Sequence, residues 1–138
     1  MTLLYLDASA LVKLVRDEPE SDALDRYLDG ADIISSEIAI VELMRAARRA
    51  PLVDPRLDGE LLAQGSAELL ESVALLPVEH DVLLRAAGLE EPFLRALDAI
   101  HIASALVLDE LDAFVSYDER QSAAARIAGL RTTAPAPG

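Results

Sequence analysis

The stretch LLYLDASALVKLV, residues 3–15, runs from one periodicity into another through a single acid, Asp7. Leu3–Asp7 reads as a short buried strand. Ser9 can cap the helix that follows, which should extend to about Arg16. The same alternation continues downstream. Pro19 breaks the first helix, and Glu20 to Leu28 reads as a second, ending near Gly30. Asp32–Ser36 is a second strand. Glu37 to Arg49 is a helix whose basic end, Arg45, Arg48 and Arg49, suits the negative pole of its dipole. Pro51 and Pro55 mark a turn, and a helical stretch runs on to about Ser72. Val73–Val78 is a third strand, His80 to Gly88 a helix, and Leu94 to Leu111 a long helix rich in alanine and leucine. Ala113–Tyr117 is a fourth strand, Glu119 to Ala128 a helix, and Leu130–Thr133 a short last strand. No internal repeat is present. Strands alternating with helices predict an α/β fold, a mainly parallel central sheet with helices on both faces.

The 138 residues suit one domain over 1–133, with the APAPG tail, 134–138, expected to be disordered. At 52% hydrophobic residues the chain can fill a core. No apolar run is long enough for a membrane helix, and MTLLYLD lacks a basic leader, so no membrane association is expected. The absence of cysteine rules out disulfides, thiolate metal sites and cysteine nucleophiles, and fits a cytoplasmic location. The net charge is −13. Such a field repels phosphate, so a nucleic-acid substrate would need metal and local arginines to reverse the sign at the site. A basic protein partner is favoured.

Four acids stand in apolar surroundings: Asp7, Glu42 in IAIVELM, Asp98 in LRALDAIHIASALVL and Asp118 at the end of AFVSYD. An ionised carboxylate removed from water costs several kcal/mol unless it is paired or binds metal. Asp7 and Asp118 each close a predicted strand, where open parallel sheets form their sites. Each acid also has a purely structural explanation. Asp7 and Asp118 can cap the helices behind them, Glu42 can lie on a surface, and Asp98 can pair with Arg95 one turn earlier. Convergence explains all four at once. Carboxylates with no organising histidine or cysteine suit Mg2+ or Mn2+ better than zinc, and such ions support hydrolysis of phosphodiesters.

Four stretches carry a resemblance: LYLDASALVKL at 4–14, SEIAIVELMRA at 36–46, LRALDAIHIASAL at 94–106 and FVSYDERQSAAA at 114–125. In order, spacing and length they resemble the PIN-domain nucleases, and within them the VapC-type toxins of bacterial toxin–antitoxin pairs. The resemblance implies a PIN-like three-layer fold. It implies that Asp7, Glu42, Asp98 and Asp118 form an acidic Mg2+ or Mn2+ site, with the hydroxyls of Ser9 and Ser116 in support. Ser116 stands where threonine is more usual and keeps the hydroxyl. It further implies an endoribonuclease acting on structured cellular RNA, a small VapB-like antitoxin that blocks the site, and a toxin homodimer.

Arg45, Arg48, Arg49 and Tyr117 are the candidate RNA contacts. With 4% aromatics, recognition should lean on RNA shape. His101, one turn from Asp98, reads as packed or supporting, and His80 as structural. Glu119 is an alternative to Asp118. Two other readings compete. A catalytically inactive PIN-fold adaptor for RNA or protein would be marked by an incomplete acid set, and this set is complete. A receiver domain needs a second acid at the first strand, an acid after the third and a lysine after the fifth. Here Asp7 has no acidic neighbour, the third strand ends in LLPV and Lys13 is the only lysine.

Overall fold

The computed structural model describes residues 2–138. Its sheet grows from β1 (Leu3–Leu6), whose side chains alternate between two apolar layers. Leu4 and Leu6 enter one buried cluster, with α1 (Ala8–Val15), α2 (Ser21–Leu28) and α3 (Ile38–Val53). Tyr5 enters the other, with α6 (Ala96–Leu106) and α7 (Glu119–Ile127). β4 (Ala113–Val115) follows the same rule: Ala113 and Val115 face the first layer and Phe114 the second. Period-two alternation on a doubly covered sheet gives three layers, helices on both faces, as expected.

With β2 (Asp32–Ser36), β3 (Ala74–Leu76) and β5 (Thr132–Thr133), the strand order is β3-β2-β1-β4-β5, and every pairing is parallel. The chain builds outward from β1 to β3, returns over the sheet, and resumes on β1's other side at β4. The direction of winding therefore reverses between β1 and β4, where crevices open at carboxyl ends. Leu6 pairs with Val115, and the Asp7 N–H extends the ladder by donating to the Val115 carbonyl at 3.2 Å.

Three expectations need correction. Asp7, not Ser9, caps α1: its carboxylate accepts from the Ala10 N–H. The long helix predicted over 94–111 covers only Ala96–Leu106, because Leu108 to Asp112 must turn back to enter β4. α3 does not stop before Pro51 but continues to Val53. A proline in the last turn removes one hydrogen bond, to the Ala47 carbonyl, without breaking the earlier ladder. Gly59, the first residue of α4 (Gly59–Glu71), sits against that place. A Cβ there would lie 3.0 Å from the Ala47 oxygen and 3.3 Å from the Pro51 ring. Residues 134–138 form no regular element, and the Tyr117 hydroxyl donates to the Pro135 carbonyl at 2.6 Å.

Two glycines of α4 should thus respond oppositely to alanine. At Gly65 the nearest atom is the Val15 side chain at 3.4 Å, an ordinary contact. Gly65→Ala should raise stability by about 0.5–1 kcal/mol, the helix-propensity gain. Gly59→Ala should lower it, because the new methyl meets backbone. Urea melts of the two variants check both signs.

Candidate active site at the carboxyl edge of the sheet

Of the four acids, only Asp7 is truly buried, at 3% exposure. Its burial is met by donors from two distant segments. Ser9 Oγ donates to Oδ1 at 2.6 Å, and Ser116 Oγ donates to Oδ2 at 2.5 Å. The Ala10 N–H adds a third bond to Oδ1 at 3.1 Å. Each serine also accepts from the loop after β4: Tyr117 N–H reaches Ser9 at 2.9 Å and Asp118 N–H reaches Ser116 at 3.1 Å. Both hydroxyl protons are committed to Asp7, so the 3.4 Å between the two oxygens marks proximity more than a bond. The two serines clasp the β1–α1 junction to the β4–α7 junction. Burial nonetheless raises the Asp7 carboxyl above its ordinary pKa, against the pull of these donors.

Glu42 lies on α3, half-buried, and is held from below. His101 Nε2 is 2.6 Å from Glu42 Oε1, and His101 Nδ1 is 2.7 Å from the Tyr5 hydroxyl. His101 and Tyr5 are buried, and the Tyr5 ring stacks on Phe114 at 5.3 Å between centroids. Burial pushes the Tyr5 hydroxyl far up, so it keeps its proton. The arrangement that satisfies every partner has Tyr5 donating to Nδ1 and Nε2–H donating to the Glu42 carboxylate. His101 is thus the packed, supporting residue expected of it. Tyr5 was not anticipated, although it lies two residues before Asp7 on the same strand.

Asp98 sits in the first turn of α6 and has neither the pairing with Arg95 nor any other ion pair or hydrogen bond among the described residues. Its pKa is raised, by burial first and then by the charges of Asp118 and Asp7, with Glu42 adding and His101 opposing. The four acids therefore share one electrostatic neighbourhood. Asp118 is exposed and caps α7, Oδ1 accepting from the N–H groups of Arg120 at 2.9 Å and Gln121 at 3.2 Å. For Asp7 and Asp118, capping and membership of the cluster are compatible roles. Among the described residues, no three acid or histidine side chains stand close enough to share one ion as they are. The donor set is nevertheless all oxygen at its open end, and the repulsion on Asp98 is what a cation would relieve.

Two openings flank the cluster. One, between α1 and α3, is lined by Ser9, Glu42, Arg45, Arg49 and Tyr117, along with Lys13. Arg48, exposed on the same helix, does not line it. The Tyr117 ring is occupied: the Lys13 ammonium lies 4.9 Å over its face, its hydroxyl is bonded to Pro135, and burial pushes its pKa up to about 12. The second opening, between α6 and α7, is lined by Asp98, Asp118 and Glu119, by Arg95, and by Phe93 and Arg120, two residues the sequence did not single out. His80 is exposed at the start of α5 (His80–Ala87).

The family model described as PIN domain matches residues 4–127. The chain is 42% identical over 137 residues to Ribonuclease VapC46 of Mycobacterium tuberculosis, covering 98% of this chain and 99% of that protein. It is 35% identical over 139 residues to Ribonuclease VapC47 of the same organism, covering 96% and 97%. Among solved structures, VapBC2 from Rickettsia felis, bound to a DNA fragment from its promoter, aligns with a TM-score of 0.73 at 13% identity, over 97% of this chain and 99% of that one. The sarcin–ricin loop cleaving toxin VapC20 of Mycobacterium tuberculosis aligns at 0.68 with 17% identity, over 96% and 99%. At these identities the solved structures bear on fold alone.

Two outcomes follow from the geometry. Because the folded pKa of Asp98 is raised, its proton is held more tightly folded than unfolded, and stability falls as pH rises from the ordinary carboxylate value, 3.8, through the raised one. In metal-free buffer Asp98→Asn should melt with wild type below pH 3.8 and above it toward neutrality. Ser116→Ala strips one donor from a buried carboxylate and leaves the Asp118 N–H unpaired. It should cost about 1–3 kcal/mol in chemical denaturation.

Proposed function

The chain belongs to the PIN-domain family, beside the VapC ribonucleases, and from this we propose that it is a Mg2+- or Mn2+-dependent endoribonuclease toxin. The observation that supports the proposal is Asp98, unpaired and repelled by Asp118, Asp7 and Glu42 at the edge where the winding of the sheet reverses. Asp7, Glu42, Asp98 and Asp118 would hold the ion. When bound, the ion supplies charge that offsets the growing charge on a phosphodiester and makes water a better nucleophile. The protein supplies the rest. Ser9 and Ser116 fix both oxygens of Asp7, and His101 fixes one oxygen of Glu42 and leaves the other open. Arg45 and Arg49, on the same face of α3 as Glu42, provide local positive charge for phosphate in a chain of net charge −13. The substrate in this reading is structured cellular RNA, because the chain has only two phenylalanines and three tyrosines for stacking.

A small antitoxin belongs to the same reading. An apolar groove lies between α1, α3 and α4, lined by Val12, Val15, Leu43 and Val53 with Arg16 and Arg49 at its rim. Val12, Ala46 and Arg49 are shared with the opening that holds Glu42. An amphipathic segment laid in the groove would lead a basic side chain to the carboxylates. A homodimer is also part of the proposal, and the exposed Leu83, Leu84 and Val107 offer it apolar surface.

One observation favours a second reading. The acids do not yet stand at ion-sharing distance, and Glu42 is already held by His101, as an inactive RNA- or protein-binding adaptor would tolerate. Metal dependence separates the two. Purified protein should cut RNA in Mg2+ or Mn2+, stop in EDTA and recover on re-addition. Asp7→Asn should fold, by circular dichroism, yet lose more than the roughly tenfold to hundredfold that an outer-sphere defect costs. RNA binding without cleavage under every metal condition would select the adaptor. Cleavage undiminished in EDTA would remove the metal from the mechanism.

A further inference from the structure

The opening between the starts of α6 and α7 sets an aromatic ring and two arginines among four acids, Glu91, Asp98, Asp118 and Glu119. Phe93 stands at its mouth with 86% of its surface in water. It is not on a loose strand. Leu94 beside it packs into the core under α6 and α7, and the Phe93 N–H is held by the Glu91 carboxylate at 3.1 Å. The turn is fixed and the ring is left out. Arg95 precedes the first residue of α6, and Arg120 lies in the first turn of α7. Among the described residues neither guanidinium forms an ion pair. Both helix starts add partial positive charge on this side. The same opening contains Asp98 and Asp118. A flat apolar face, two guanidinium groups without an ion pair, two acids of the cluster and the carboxylates of Glu91 and Glu119 thus line one cleft. Nucleobases stack on aromatic rings, and guanidinium groups take phosphate oxygens.

We propose that this cleft is a nucleotide subsite, in which Phe93 stacks an unpaired base next to the scissile phosphodiester and Arg95 and Arg120 take the adjoining phosphates. It rests on the ribonuclease reading above and deepens it: the bound RNA would be a loop or single strand at this point, since a paired base presents no free face. Tyr117, whose ring face and hydroxyl are already engaged, does not serve this role.

The test is steady-state cleavage of a labelled oligoribonucleotide with a mapped cut site, and of copies with one nucleotide beside the cut made abasic. Phe93→Ala should raise KM by roughly fivefold to a hundredfold, more than it changes kcat, and Phe93→Tyr should restore it. The ring is exposed, so the fold should survive. At the stacked position, removing the base should penalise wild type and barely penalise Phe93→Ala. Replacing Arg95 and Arg120 with glutamine should flatten the salt dependence of KM. The chain has no tryptophan, so Phe93→Trp gives a unique reporter whose emission RNA should quench and abasic RNA should quench less. Unchanged KM in Phe93→Ala, or equal abasic penalties in both proteins, would overturn the subsite and leave the ribonuclease standing. So would an effect of Phe93→Ala confined to a protein partner. A wild-type protein that cuts no RNA would overturn both.

Discussion

A carboxylate taken out of water must be met by donors, and in this protein that requirement fixes the edge on which the rest depends. Asp7 is reached by Ser9 from its own helix and by Ser116, just past the end of β4 and more than a hundred residues away. The same serines receive the N–H groups of Tyr117 and Asp118. One network thus satisfies the carboxylate, both hydroxyls and both N–H groups. β1 lies at the centre of the sheet, so a defect at its carboxyl end is passed to both flanks. Apolar packing on each face makes the sheet stable. The clasp decides how its two central strands end relative to each other.

The acids beside that clasp are each restrained by a different device. Hydroxyls hold Asp7, a buried histidine holds Glu42, and a helix start holds Asp118. Asp98 has none of these and carries the repulsion of the others. Asp98 is therefore the acid of the four that no hydrogen bond or ion pair holds in place among the described residues. The Tyr5–His101 pair shows how far the support extends: a residue in the middle of β1, stacked on Phe114, sets the direction of a carboxylate on a helix in another layer.

Much of this was legible in the sequence because its signals are local. Alternating apolar runs placed all five strands, and the acids stood out against their neighbours. Ends of elements were less legible. Pro51 signals a stop, yet a proline in a final turn forfeits only one bond, and Ala47 and Ala50 stay buried. Asp7 and Ser9 both suit a cap, and only the backbone turn selects Asp7. Burial was misjudged for Asp118, since a strand-end residue borders apolar sequence while facing water. Phe93, five residues before Asp98, and Arg120, two after Asp118, escaped notice because nothing local in the sequence brings the two segments together. That neighbourhood exists only once α7 is docked. His101 was within reach, three residues from Asp98 on a helix, whereas its bond to Tyr5 spans 96 residues and leaves no local trace.

The strand order also sets a schedule. β1 is made first but stays without its β4 neighbour until Val115 exists, and the loop that secures Asp7 comes just after. Pairings so distant in sequence close late and slowly. During synthesis, which proceeds from the amino end, Asp7 and Glu42 are present well before Ser116 and His101, the residues that hold them. A growing chain therefore carries the acids without the site. Whatever chemistry they perform begins only when nearly the whole domain has left the ribosome.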